Sequence, residues 1–148
     1  MLASVTTFAL LFSGFASAEA PTTETPTAEQ LVREKCSVCH LLVRPTKETA
    51  PYMLAPPMMG VMHHVKEGVE ADGPDRDAVV AFVMDYAHNP ERSKSLCKDK
   101  AIERFGLMPS LKASVTQEEL KTIAHYLYDH FPPSDFQHGK TKEAVHAK

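Results

Sequence analysis

Apolar residues recur along the middle of this chain at helical spacing, and the recurrence breaks at proline and glycine. Thr27-Ala28-Glu29-Gln30 opens the first such segment. A threonine followed three residues later by glutamine is a capping box, so a helix is predicted from Thr27 into Cys36. Residues 41–55, LLVRPTKETAPYMLA, hold two prolines and no clear period, and are predicted as an ordered loop. Pro56 and Pro57 suit a helix start. Met58, Val61, Met62 and Val65 follow at i, i+3, i+4 and i+7, which is one apolar helical face. Met59 falls on the flank of that helix, and the adjacent His63 and His64 are expected in solvent. Glu67 to Pro74 reads as a turn around Asp72-Gly73-Pro74. A third helix is predicted over Asp75 to His88, with Val79, Phe82, Val83 and Tyr86 on one stripe and Met84 on the far side. Asn89-Pro90 stops it. Ser93 to Arg104 has room for a short helix, and residues 105–113, FGLMPSLKA, read as loop. Thr116-Gln117-Glu118-Glu119 is a second capping box. It opens a last helix with Leu120, Ile123, Ala124 and Leu127 inward, ended by Pro132-Pro133. No hairpin signal and no internal repeat is present. The predicted class is all-α, with about four to five short helices.

The ends of the 148-residue chain lack this pattern. Residues 1–18, MLASVTTFALLFSGFASA, carry no charge. Phe8 to Phe15 is a short apolar core, and Ala16-Ser17-Ala18 is a small-residue cleavage site. A secretory signal is expected here, removed before Glu19. A retained membrane anchor is the alternative reading. The apolar run is shorter than the roughly 20 residues of a spanning helix, so no stable membrane insertion is expected after cleavage. Residues 19–26, rich in Pro, Thr and Glu, read as a flexible leader. Residues 27–133 are the expected single domain, and residues 134–148 a polar tail. Formal net charge is −3 and the isoelectric point is near 6.2, without a basic run, so nucleic acid is not an expected partner. A domain of about 105 residues without tryptophan, with narrow inward faces, has a marginal core. A large apolar group at its centre would relieve that shortage.

Residues 36–40, CSVCH, carry the chemistry. Cys-x-x-Cys-His is the attachment signature of a c-type haem. Two thiols at this spacing add across the vinyl groups of one porphyrin edge, and the following histidine supplies an imidazole to the iron. Zinc would need two more ligands at comparable spacing, and no second Cys pair exists. A thioredoxin-like dithiol would need a βαβ context, which is absent. An export signal and an all-α body suit haem attachment, with Cys36 and Cys39 as thioether residues and His40 as proximal ligand. Among the methionines, Met58 and Met62 read as core filling. Met108 sits in the loop Gly106-Leu107-Met108-Pro109, where glycine allows close backbone approach and proline stiffens the chain. A thioether presented in this way can reach an iron. Cys97 is left over. With Ala101 and Phe105 it falls at helical spacing, as a small apolar residue would; an intermolecular disulfide is the alternative.

In these features the chain resembles class I cytochrome c, the small monohaem type in its bacterial form, over roughly residues 27 to 133. CSVCH matches the family's attachment motif. APPMMGV, residues 55–61, is similar to the stretch in which a proline carbonyl accepts the proximal imidazole's Nδ1–H, which implies that role for Pro56. GLMPS is similar to the family's methionine loop and implies Met108 as distal ligand. IAHYL, residues 123–127, is similar to the C-terminal helix whose aromatic crosses the N-terminal helix, which implies Tyr126. Where the family has glycine and an aromatic before the first cysteine, this chain has Ala28 and Val32. His40 and Met108 are separated by 68 positions, with a long middle section around Asp72 to Lys100.

The function that follows from motif and resemblance is that of a periplasmic electron carrier. One covalent haem c would be held by His40 and Met108, passing single electrons between redox partner proteins of a respiratory chain. His with Met favours Fe(II) relative to two histidines. No catalytic residue is expected. The rival readings are a haem-bearing subunit of a dehydrogenase or oxidase complex, and a haem enzyme with a labile sixth ligand.

Overall fold

The structure, a computed structural model, describes residues 25–137. The expected signal at residues 1–18, most of the leader, and the tail from residue 138 onward lie outside the described residues. Among the described residues five α-helices occur in the order α1 (Ala28–Lys35), α2 (Met58–Val69), α3 (Arg76–His88), α4 (Asp99–Phe105) and α5 (Gln117–His130). Among the described residues there is no strand, so the class is all-α. None of these helices is long and apolar enough to cross a membrane.

Both capping boxes form. Thr27 accepts from the Gln30 amide while Gln30 reaches back to the Thr27 amide, and Thr116 and Glu119 do the same for α5. Each pair satisfies donors that a helix start leaves without partners. The Asp75 side chain caps α3 by accepting from the Ala78 amide at 2.9 Å.

α5 organises the core. Leu120, Ile123, Ala124 and Leu127 are all buried, on the face that the apolar spacing predicts. α1 packs against α5 through buried Leu31 and Val32, α3 packs against α5, and α2 packs against α3. Each fully buried Leu, Ile or Val contributes about 1.5–3 kcal/mol relative to exposure. Tyr126 is half-buried against this core and stacks on His130, with ring centroids 3.9 Å apart.

Several expectations are corrected. The stretch 41–55 contains one turn of 3-10 helix at Ala50–Tyr52. The segment 93–104 divides into a 3-10 turn at Arg92–Lys94 and α4. Met59 is buried, 5% exposed, on the side of α2 that faces the chain around Pro45 and Phe136. Met84 is half-buried against the core, because α3 is covered on more than one face. On α3 the most buried residues are Val79, Val80, Ala87 and His88, whereas Phe82, Val83 and Tyr86 are only half-buried. His63 and His64 are also half-buried.

Candidate functional site

The half-buried stripe of α3 faces an internal cavity of about 190 Å³. Every helix supplies wall: Met58, Met62 and Val65 from α2, Phe82 and Val83 from α3, Ile102 and Phe105 from α4, Leu120 and Ile123 from α5, and Lys35 at the end of α1. Cys36, Cys39, His40, Pro56 and Met108, the five residues singled out in the sequence, all line this one cavity. Val38, Leu54 and Leu107 line it too and are substantially exposed, so they mark its mouth.

The motif is shaped by the end of α1. The chain coils one further turn, with the Cys39 and His40 amides donating to the Cys36 carbonyl at 3.2 and 2.9 Å. The Ser37 hydroxyl donates to the Arg33 carbonyl. Immediately after the motif, the Met58 amide donates to the Leu41 carbonyl at 2.9 Å, tying this turn to the start of α2. That tie brings Pro56 over the imidazole. His40 Nδ1 lies 2.7 Å from the Pro56 carbonyl oxygen. A carbonyl only accepts, so Nδ1 carries the proton, and in the neutral ring Nε2 keeps its lone pair. Burial holds the His40 pKa below its usual value, against the opposing effect of the Pro56 bond. The ring is therefore a neutral donor of one defined nitrogen.

No disulfide joins the three cysteines among the described residues. Cys36 is buried, and burial pushes its thiol up to about 11. Cys39 is exposed. Cys97 is half-buried and shifted upward by burial.

Met108 is half-buried in the loop between α4 and α5. Gly106 ends α4 with φ +75°, a conformation that side chains other than glycine's rarely adopt. No atom lies within 4 Å of the place its Cβ would take. Gly106 also lines the cavity, and its positive φ is a further reason for glycine at this position. Downstream, the Leu111 amide donates to the Ala87 carbonyl at 2.9 Å and the Ser110 hydroxyl to the His88 carbonyl at 2.5 Å. His88 itself is buried. Its Nε2 lies 3.0 Å from the Val115 carbonyl oxygen and its Nδ1 3.0 Å from the Gln117 side-chain Nε2. The end of α3 thus holds the downstream side of the loop that carries Met108, from Ser110 to the start of α5.

Sequence reasoning missed His88, Tyr86 and Ser95. The last two line the cavity, as does Cys97, which precedes α4 instead of lying within it. Cys97, Ala101 and Phe105 nonetheless share the cavity wall, so their spacing pointed to the right surface. The arrangement collects two thiols, one imidazole lone pair and one thioether around an apolar space. Such a donor set suits a soft or borderline metal enclosed in an apolar group.

No protein-family model matches the chain, and no solved structure matches it. The chain is similar to an uncharacterized protein of Aquifex aeolicus (strain VF5). The two are 28% identical over 116 residues, covering 71% of this chain and 74% of that protein.

Proposed function

We propose that this protein is a monohaem c-type cytochrome that carries single electrons and has the class I cytochrome c fold. One observation supports the reading above all. Cys36, Cys39, His40 and Met108 converge on one apolar cavity, and the Pro56 carbonyl orients the His40 ring. The donor set fits the group. In this reading Cys36 and Cys39 would hold the group through thioethers, each exchanging a thiol S–H bond for a C–S and a C–H bond at a vinyl group with no net gain or loss of electrons, and His40 Nε2 and the Met108 thioether would be the ligands of its iron. When bound, the haem supplies an iron that cycles between Fe(III) and Fe(II).

The chain's own residues do the rest. The apolar walls from α2, α3, α4 and α5 exclude water, which favours the less charged state of the centre. The Pro56 carbonyl keeps the imidazole in one tautomer and raises its basicity as a ligand. The exposed apolar rim of Val38, Leu54 and Leu107, with the modest net charge, suits brief docking on redox partner proteins. In this reading the protein works in the periplasm, in a respiratory chain; the attachment motif and the expected signal support that location.

The attachment tests this directly. The denatured protein should keep its colour through acidic acetone extraction and give a c-type pyridine haemochrome. Extraction of the colour into solvent would refute the proposal.

A further inference from the structure

α2 carries a second group of metal-ligating side chains, and none of them lines the cavity that Cys36, His40 and Met108 share. His64 Nδ1 lies 3.2 Å from Glu67 Oε2, and His63 Nε2 lies 4.0 Å from the same oxygen. One ligand atom from each residue falls within 4.8 Å of the others. The cause is helical spacing: i, i+3 and i, i+4 neighbours share a face, so Glu67 sits one turn above both histidines. Around a tetrahedral ion with bonds of about 2.0–2.2 Å, ligand atoms stand about 3.4 Å apart. The His64–Glu67 edge, at 3.2 Å, is already near that length, and the other edges, none longer than 4.8 Å, must close by up to about 1.4 Å. Rotation of the Glu67 side chain, 65% exposed, can close its edge with His63, and rotation of the His63 side chain, 34% exposed, can close the edge between the histidines. The histidines are less free. The His64 side chain is 15% exposed, and Phe136 packs against the His63 ring with centroids 5.5 Å apart.

We infer that His63, His64 and Glu67 form a surface site for a divalent transition-metal ion of the zinc or copper type, with water completing the coordination. Two imidazole nitrogens and one carboxylate oxygen favour these ions over calcium or magnesium, which prefer all-oxygen sites. Copper(II) should bind more tightly than zinc. The inference is independent of the haem reading, since it uses no residue of the cavity.

Calorimetric titration of zinc chloride into the full chain, stripped beforehand with chelator, tests it. One equivalent should bind, and magnesium should not compete. Glu67→Gln and His64→Ala should each weaken binding at least tenfold, and the His63→Ala/His64→Ala double variant should abolish it. Cys97→Ser should leave the affinity unchanged. In chelator, Glu67→Gln should melt with the parent chain, whereas zinc should raise the melting temperature of the parent alone. No binding, unchanged affinity in the double variant, or loss of the equivalent in Cys97→Ser would overturn the assignment.

Discussion

Cys36 and Cys39 differ in their surroundings, one buried and one exposed, yet the proposed chemistry consumes both as thioethers. Only Cys97 then remains a thiol. Thiol titration of the denatured chain should return one reactive group, and Cys97→Ser should remove it; three groups would contradict attachment. Met108 has its own readout. The oxidised protein should show the weak far-red band of methionine-to-iron coordination, and Met108→Ala should abolish it. Met58→Ala and Met62→Ala should keep the band. These two residues are 4% and 1% exposed and serve packing, so their truncation should cost about 2–5 kcal/mol in stability. Of the candidate site, the sequence pattern made Cys36, Cys39 and His40 legible as one cluster, because their spacing is local, and the structure brings them to one cavity wall. His88 was not legible. A histidine at a helix end gives no sign of burial until the Val115 carbonyl and Gln117 are brought to it from 27 and 29 positions away.

The elements hold the site through a few long-range bonds. At the end of α3, His88 and Ser110 anchor the loop that carries Met108. His88→Ala would strip the Val115 carbonyl and the Gln117 side chain of their partner, at a cost of roughly 1–3 kcal/mol. It should also weaken the far-red band, which a change remote from the loop would leave alone. Between α3 and α5, Arg76 donates to both Asp129 carboxylate oxygens, at 3.2 and 2.8 Å, and to His125 Nδ1 at 2.6 Å. The Arg76 hydrogen bond is the main reason the Asp129 carboxyl is held below its usual range. A depressed carboxyl makes its stabilising contribution above the unfolded value of about 3.9 and loses it as pH falls through the folded value. Thermal melts should therefore show Asp129→Asn less stable than the parent at neutral pH and losing stability less steeply on acidification, so that the gap between the two closes as pH falls through the folded value. The helix starts, by contrast, were legible in advance. A capping box is four consecutive residues, and its bonds close within the segment that encodes them.

At the scale of the whole molecule, the proposed role predicts what the protein does not do. With His40 and Met108 both on the iron, the reduced form should bind carbon monoxide poorly at neutral pH, peroxidase activity should stay near background, and stopped-flow mixing should show rapid reduction and reoxidation. Stoichiometric carbon monoxide binding would favour the haem-enzyme reading instead. The loop around Met108 offers no proton shuttle from Phe105 to Pro109, and the Ser110 hydroxyl is engaged by the His88 carbonyl. Tyr86, Ser95 and Cys97 on the cavity wall make this a test with content. The sequence by itself determined the helical class, both capping boxes, the inward face of α5 and the residue types available for attachment. All of these depend on neighbours within about two turns, where helical spacing alone sets position. Only the tertiary structure decided that Phe82, Val83 and Tyr86 face a cavity, that Met59 and Met84 are covered on a second side, and that Pro56 meets His40 at 2.7 Å. Periodicity reports which face of a helix is apolar. What that face meets depends on how helices distant in the chain pack together, and no local pattern carries that information.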